Sequence, residues 1–128
     1  MSLTTTFNHD LRRGFATYAG TVNYRWLQEF MVEVVRNNAQ EYPKLIDGRE
    51  AELRLAPEEI SQFLEFAQAL GRQWRFGPVA VVIGDELSYA EVHTLGLLTE
   101  KICLVQPFWN VEEAEQWLAR ESALDAAT

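Results

Sequence analysis

The run Pro78–Gly84 constrains the fold of this chain more than any other stretch. It holds five apolar, mostly β-branched residues between a Gly77-Pro78 break and a Gly84-Asp85 exit. Such a run is typical of a strand that is covered on both faces. A strand of this kind lies inside a sheet, so the amphipathic helical patterns on either side of it predict helices on both faces.

Length and charge limit the class of protein. The chain has 128 residues, 48% of them hydrophobic and 23% charged, which predicts one globular domain spanning residues 1–128. A net charge of −8 repels phosphate backbones and anionic lipid headgroups, so nucleic acid is not expected as a partner. No apolar run reaches the roughly 20 residues of a bilayer span, and no basic and apolar leader precedes the domain. We therefore expect a cytoplasmic protein without stable membrane insertion.

The first half of the chain predicts a hairpin, a helix and a short strand. Leu3–Phe7 and Gly14–Ala19 are rich in threonine and aromatics and read as a β-hairpin. Thr21 or Asn23 caps a helix that ends near Asn37, and its apolar stripe is Leu27, Phe30, Met31, Val34 and Val35. The run Lys44–Ile46 predicts a second buried strand that ends at Asp47-Gly48, and an irregular loop, Arg49–Leu55, follows.

The second half predicts three helices around two strands. Pro57 begins a helix with the inner stripe Ile60, Phe63, Leu64, Ala67 and Leu70. Asp85 and Glu86 begin a third helix, which carries Leu87, Ala90, Thr94, Leu95 and Leu98 and is weakened by Gly96. Ile102–Val105 is predicted as the last strand. Asn110 and Glu113 form a capping box for the last helix, with Ala114, Trp117 and Leu118 inside and a frayed tail after Glu121.

This order of elements predicts an α/β fold. Strands that alternate with helices require right-handed crossovers and a mainly parallel sheet. The hairpin adds an antiparallel strand, which gives a mixed sheet of about five strands with four helices.

The order and the closing segment together resemble a known fold. The segment combines the Ile-Cys-Leu-Val run, the Phe108-Trp109 turn and the helix Val111–Leu118. With the element order, it resembles the SpoIIAA-like fold, which is shared by sulfate-transporter and anti-sigma-factor-antagonist (STAS) domains and by lipid-binding SEC14-type domains. The resemblance spans roughly Phe15 to Leu118 and is nearest to small bacterial STAS/SEC14-like proteins.

The resemblance also directs attention to the start of the second helix. Anti-sigma-factor antagonists carry a phosphorylatable serine in a turn at this point, and the corresponding segment here is Leu55–Glu59, which has no hydroxyl. The phosphorylation switch therefore does not carry over. After Pro57, the acids Glu58 and Glu59 either imitate the phosphorylated form or simply complement the positive end of the helix dipole.

The sequence contains no recognisable catalytic or cofactor motif. It lacks a Gly-rich phosphate loop, and His9 and His93 are its two histidines, so we predict no cofactor and no metal site. Ser61 and Ser88 lack the setting of a nucleophile. Cys103 is the single cysteine, and its apolar neighbours predict a buried, inert thiol.

Two groups of residues are candidates for a binding site. Asp47 and Asp85 follow strands at the predicted carboxyl edge of the sheet, where open α/β sheets bind ligands, and Tyr89 and His93 lie nearby on the third helix. The second group is aromatic: Trp74 and Phe76 follow the second helix, and Phe108 and Trp109 follow the last strand. Exposed together, these rings would form an apolar patch; buried, they close the ends of the core, and we expect burial for most of them.

These observations favour a non-enzymatic binding or regulatory module whose ligand is a protein partner or a small apolar molecule. The alternative is a small enzyme that uses Asp47, Asp85 and His93. An uncovered hairpin edge would also allow a homodimer by strand pairing.

Overall fold

The computed structural model describes residues 2–127 of the chain. Within them, strands and helices alternate as β1 (Ser2–Asn8), β2 (Arg13–Val22), α1 (Tyr24–Arg36), β3 (Lys44–Leu53), α2 (Pro57–Gly71), β4 (Val79–Ile83), α3 (Glu86–Leu98), β5 (Val105–Phe108) and α4 (Val111–Ala127).

One mixed sheet forms the centre of the fold, with the strand order β1-β2-β3-β4-β5. The β1–β2 hairpin is antiparallel, and every later pair is parallel. β4 lies between β3 and β5, and Ala80 and Val82 are fully buried. This confirms the prediction that the Pro78–Gly84 run is an internal strand, and the architecture is the predicted SpoIIAA-like α/β fold.

The helices are divided unequally between the two faces of the sheet. Successive right-handed crossovers that move in one direction place their helices on one face. Accordingly, α1, α2 and α3 share a core cluster with the inward side chains of β2, β3 and β4. α4 alone forms the second cluster, on the opposite face, where it packs against β3, β4 and β5.

The α4 face is closely packed, as the sequence predicted. Ala114 and Leu118 are at most 1% exposed, and the Trp117 ring contacts Phe108 with ring centroids 5.6 Å apart. The Asn110 side chain accepts a hydrogen bond from Glu113 N at 2.9 Å and so caps the helix. The predicted fraying after Glu121 is wrong: the helix continues to Ala127, because this segment is rich in residues that favour helix.

β3 is much longer than predicted. It runs on to Leu53 in parallel register with β2, where the predicted loop Arg49–Leu55 was expected. Ala51 and Leu53 are buried and alternate with the exposed Glu50 and Glu52, which is the two-residue period of a strand. The Asp47-Gly48 pair interrupts this period in the sequence.

The last strand also differs from the prediction. β5 begins at Val105, because Ile102 and Cys103 belong to a turn in which both backbone N–H groups bond to Thr99 O. Of the leucines on α3, Leu95 is buried, whereas Leu87 and Leu98 are 65% and 50% exposed. The helix is apolar around most of its circumference, so its sequence pattern could not identify the buried side.

Gly96 explains how α3 is held against the sheet. A Cβ atom at this position would lie 2.2 Å from the Val105 carbonyl oxygen. The glycine therefore permits a close approach of α3 to β5. A residue that weakens the helix is needed here, because any side chain would prevent this packing.

Candidate functional site

The structure does not bring the predicted polar site together. Asp47 lies inside β3, where its side chain forms an ion pair with Arg49 at 2.8 Å. This hydrogen bond lowers the pKa of the Asp47 carboxyl. Asp47 shares its face of the sheet with Leu45, which packs in the α4 cluster, whereas α3 and His93 lie on the other side.

Asp85 has a structural role at the start of α3. Its carboxylate accepts hydrogen bonds from the backbone N–H and the hydroxyl of Ser88, at 2.9 and 2.8 Å, and from Arg54 at 3.1 Å. The backbone bond from Ser88 is the main cause of the lowered pKa of Asp85. The Ser88 hydroxyl also accepts a bond from Leu53 N at 2.9 Å, so the cluster ties α3 to the end of β3.

The remaining members of the two predicted groups are dispersed. His93 is exposed on α3, and Tyr89 stacks on Trp109 with centroids 4.9 Å apart and nearly parallel planes. Trp109 is 48% exposed, Trp74 is half-buried and Phe76 is buried. Trp74 and Phe76 precede β4 whereas Trp109 follows β5, so they lie at opposite ends of a parallel sheet and form no common patch. Phe108 is the last residue of β5 and is buried, so two of these four rings are buried, one is half-buried and one is exposed.

Glu59 connects the starts of two helices. Pro57 is the first residue of α2, as predicted. The Glu59 carboxylate accepts hydrogen bonds from Ala56 N and from Tyr24 N, both at 3.0 Å, and these bonds lower the pKa of Glu59. Its charge is therefore used in fixing α2 to α1, while Glu58 is exposed.

The most distinctive feature of the molecule is a cavity of about 110 Å³ between the sheet and helices α1–α3. Its wall is overwhelmingly apolar and contains no charged side chain. The principal apolar side chains around it are Val22, Leu27, Phe30, Met31, Ile46, Leu53, Phe63, Val79, Val81, Ile83, Val92, Leu95, Ile102 and Val105.

Helix α2 forms the loosest wall of this cavity. Ala67 is buried, but Ile60, Phe63, Leu64 and Leu70 are only half-buried. The backbone of α2 lies close to α1, whereas α3 lies directly on β3, β4 and β5. The predicted inner stripe of α2 therefore faces the core without filling the space below it.

Four polar side chains reach the cavity wall, and three of them are hydrogen-bonded. The Ser88 hydroxyl belongs to the Asp85 cluster. The Thr99 hydroxyl donates to Leu95 O at 2.9 Å, and the Cys103 thiol donates to Gly77 O at 3.3 Å. The fourth, the Tyr18 hydroxyl, is buried and has no hydrogen-bond partner within residues 2–127.

Tyr18 is held rigidly with its hydroxyl in the neutral form. Its ring lies edge-on to Trp26 and to Phe30, with centroids 5.9 and 6.4 Å away. Burial, with a smaller contribution from the negative charge of Glu29, raises the pKa of the Tyr18 hydroxyl. A buried hydroxyl without a partner costs about 1–3 kcal/mol. The Tyr18 oxygen has almost no accessible surface, so the apolar part of Tyr18 borders the cavity and its hydroxyl does not.

A buried cation lies at the amino-terminal end of β3. Lys44 is 2% exposed, and its Nζ donates to the carbonyl oxygens of Gln40 and Tyr42 at 2.8 and 2.7 Å. Burial lowers the pKa of Lys44 to about 8 and raises that of the nearby Cys103 to about 11. Cys103, which was predicted to be buried, is half-buried. Lys44 does not line the cavity.

A second, open groove of about 400 Å³ lies near the start of β4. Its rim mixes carboxylates with cations, including Glu41, Glu100 and Lys101. This mixture favours no ligand of one charge, and the groove is wide and solvent-exposed.

No helix within residues 2–127 is long and apolar enough to cross a membrane. In the same residues, no group of three or more His, Cys, Asp or Glu side chains is arranged to hold a metal ion.

The sequence analysis missed Tyr18 as a site residue. The alternation of Phe15, Ala16, Thr17 and Tyr18 signals that Tyr18 points inward, which the structure confirms. No sequence signal shows that its hydroxyl lacks a partner, because this depends on how the side chains of α1 pack around it in the folded protein.

The chain is similar in structure to an uncharacterised protein of Shewanella loihica PV-4 from the DUF3478 family, which has a SpoIIAA-like fold. The two share 16% sequence identity with a TM-score of 0.59, over 91% of this chain and 92% of the other. At this identity the likeness shows the fold. No family model and no curated protein matches the sequence.

Proposed function

We propose that this SpoIIAA-like domain is a non-enzymatic module that binds a small apolar ligand in the cavity between the sheet and helices α1–α3. The observation that carries the proposal is the cavity itself, an uncharged space of about 110 Å³ beneath a half-buried helix. An apolar cavity of about 150 Å³ in another protein stays dry and binds benzene, so a space of this size suits a small ring or a short chain.

The small volume of the cavity excludes larger ligands, and its apolar lining disfavours charged ones. A lipid with a charged headgroup would bury that charge among apolar side chains, which is costly without a partner. α2 is the natural route of entry, because its side chains are incompletely packed and its backbone lies away from the sheet.

Benzene provides the test. Its binding is measured by calorimetry on the wild-type chain, on Ala67→Leu and on Ala69→Leu. Ala67 lines the cavity and Ala69 does not, although both lie on α2. We expect the wild type and Ala69→Leu to bind, and Ala67→Leu to lose binding at least tenfold because an isobutyl group occupies the space. Absence of binding to the wild type contradicts the proposal.

The proposal involves no catalytic step. Asp47 and Asp85 each hold an arginine, and His93 lies on the far side of the sheet from Asp47. The competing hypothesis of a small enzyme requires these three residues to act together. A substrate screen in which wild type is active and His93→Ala is inactive would favour the enzyme.

A protein partner is the second candidate, and the outer face of α3 favours it. Leu87, Leu97 and Leu98 are each at least 50% exposed on this helix. The partner that fits is a second copy, because antiparallel packing of two α3 helices places the acidic start of one, at Glu86, beside Lys101 of the other.

Sedimentation tests this homodimer. We expect the wild type to dimerise and Leu97→Glu to remain monomeric. A wild-type dimer that survives Leu97→Glu would favour pairing along the free edge of β1, and a monomeric wild type would contradict both routes.

A further inference from the structure

We infer that the ligand of the cavity is a small organic amine, whose apolar group lies in the cavity and whose ammonium group pairs with Glu91 at the opening. This inference rests on the proposed function and specifies the chemical class of the ligand. It follows from where the cavity opens and from the state of the carboxylate that lies there.

The cavity opens between α2 and α3. Both helices line it, through Phe63 and Ala67 on α2 and through Val92 and Leu95 on α3. The backbone of α2 packs along α1, whereas α3 packs on the sheet, so α2 and α3 are not packed along each other. The sheet and α1 close the other sides of the cavity, and the gap between α2 and α3 therefore leads into it.

Two exposed leucines of α3 border this gap. Tyr89 stacks on Trp109, which directly follows β5, so the Tyr89 side of α3 is turned toward β5. At about 3.6 residues per turn, Leu87 and Leu98 lie on the opposite side of the helix, which is the side toward α2. They are 65% and 50% exposed. The opening of the cavity therefore has an apolar margin on α3.

Glu91 lies between this margin and the cavity wall. It follows Leu87 by one helical turn, so the two side chains are neighbours on the helix surface. Ser88 and Leu95, one turn before and one turn after Glu91, both line the cavity. Glu91 itself is half-buried and does not line the cavity. Its carboxylate is therefore placed at the opening.

The Glu91 carboxylate has no partner, unlike most other half-buried acids. Five such acids hold a hydrogen bond or an ion pair: Glu33, Asp47, Glu59, Asp85 and Glu115. Within residues 2–127, the side chains of Glu91 and Glu121 have neither, and Glu121 belongs to the open groove near the start of β4. A half-buried carboxylate has lost part of its hydration, and a cation on the ligand would compensate for this loss.

The surroundings of Glu91 favour a cationic ligand. The chain carries a net charge of −8, which attracts cations. Arg54, which bonds to Ser88 one turn before Glu91, is already held by Asp85 at 3.1 Å. An ammonium group in the gap would keep contact with water while the apolar group attached to it enters the uncharged cavity. The ligand that fits is therefore a small ring or short chain that ends in an amine.

Benzylamine, benzyl alcohol and benzoate test this inference, because they share a ring and differ in charge. Their dissociation constants are measured by calorimetry at pH 7 and low salt for the wild type and for Glu91→Gln. We expect the wild type to bind benzylamine about fivefold more tightly than benzyl alcohol, the upper value for a partly exposed ion pair, and benzoate more weakly than either. Glu91→Gln should remove the advantage of benzylamine and leave benzyl alcohol unchanged.

Two further variants serve as controls. Glu112→Gln removes the same charge from an exposed position on α4, on the opposite face of the sheet, and should leave benzylamine binding unchanged. Ala67→Leu fills the cavity and should weaken benzylamine together with benzyl alcohol. Glu91→Gln should melt at the wild-type temperature or above it, because the carboxylate has no partner to lose.

The outcomes separate this inference from the proposed function. If benzyl alcohol binds and benzylamine binds no more tightly, or if Glu91→Gln and Glu112→Gln weaken benzylamine equally, the pairing with Glu91 is wrong and the cavity function stands. Benzylamine that binds Ala67→Leu as tightly as the wild type lies outside the cavity and also contradicts the inference. If neither benzene nor any of the three probes binds the wild type, the cavity function fails and this inference fails with it.

Discussion

The two faces of the sheet are covered in different ways. One helix, α4, closes its face with almost no free space, and Ala114, Trp117 and Leu118 are all less than 9% exposed. Three helices cover the other face, yet they leave a cavity of about 110 Å³ and a helix, α2, whose apolar side chains remain half-buried. The closely packed α4 face therefore contributes more to the stability of the fold. The face covered by α1–α3 is less closely packed and contains the cavity.

Shortening one leucine on each face should produce the largest contrast. Leu118→Ala removes a side chain that is 1% exposed in a close-packed cluster, and we expect a loss of about 3–5 kcal/mol in the free energy of unfolding. Leu27→Ala alters a half-buried side chain that already borders free space, so a loss of about 1–2 kcal/mol is expected. Urea unfolding measures both, and equal losses would remove the distinction between the faces.

Substitutions at two glycines test whether α3 packs more closely than α2 on the same face of the sheet. A Cβ atom at Gly96 would meet the Val105 backbone oxygen at 2.2 Å, whereas at Gly71 it would meet the Cγ2 methyl group of Ile102 at 2.9 Å. Gly96→Ala should cost about 2–3 kcal/mol, because the backbone of β5 cannot yield. Gly71→Ala should cost less, about 1 kcal/mol, because the β-branched Ile102 side chain rotates little but its residue lies in a turn outside the sheet and can shift. Thermal unfolding of both variants decides whether α3 is the fixed helix and α2 the movable one.

Lys44 contrasts a satisfied buried polar group with the unpaired Tyr18 hydroxyl. The pKa of Lys44 is about 8 in the folded protein, against an ordinary value of 10.5. Between these values the unfolded chain binds more protons, so this residue should make the protein more stable as pH rises from about 8, by roughly 2 kcal/mol at pH 10.

The measurement compares urea unfolding at several pH values for Cys103→Ala and for Cys103→Ala combined with Lys44→Met. The Cys103→Ala background is needed because the raised pKa of the thiol contributes with the opposite sign above pH 9. Parallel pH curves for the two proteins would show that Lys44 titrates normally and is not buried as described.

Replacing a buried alanine with leucine on each face should give the smallest difference in stability between the two faces. Ala67 borders the cavity and Ala114 lies in the close-packed α4 cluster, and both are at most 2% exposed. We expect Ala114→Leu to cost about 1–3 kcal/mol by overpacking and Ala67→Leu to leave stability within about 1 kcal/mol of the wild type. A similar cost at both positions would mean that the cavity cannot accept a side chain.

The fold could be predicted from local patterns, whereas the site could not. The Pro78–Gly84 run, the Asn110 cap and the alternating order of elements determined the sheet and its helices. The extension of β3 was missed because Asp47-Gly48 resembles a strand end, while the parallel pairing with β2 carries the strand through it. The sequence did not identify the buried side of α3, because apolar residues of several types lie on most sides of this helix.

The cavity is a non-local property. It depends on how far α2 lies from the sheet, and the spacing of apolar residues in the sequence does not record this distance. Asp47, Asp85 and Glu59 form ion pairs or helix caps, and Phe76 and Phe108 are buried, because such residues have structural uses at strand and helix ends.

Methyl NMR spectra recorded during a titration with benzene test the difference between the two faces most directly. We predict that the methyl signals of Val22, Met31 and Val92, which line the cavity, shift progressively, while those of Val82 and Leu118 on the α4 face stay in place. Saturable shifts confined to the first set would establish the three-helix face as the binding face. Shifts of equal size in both sets, or none in either, would contradict the account.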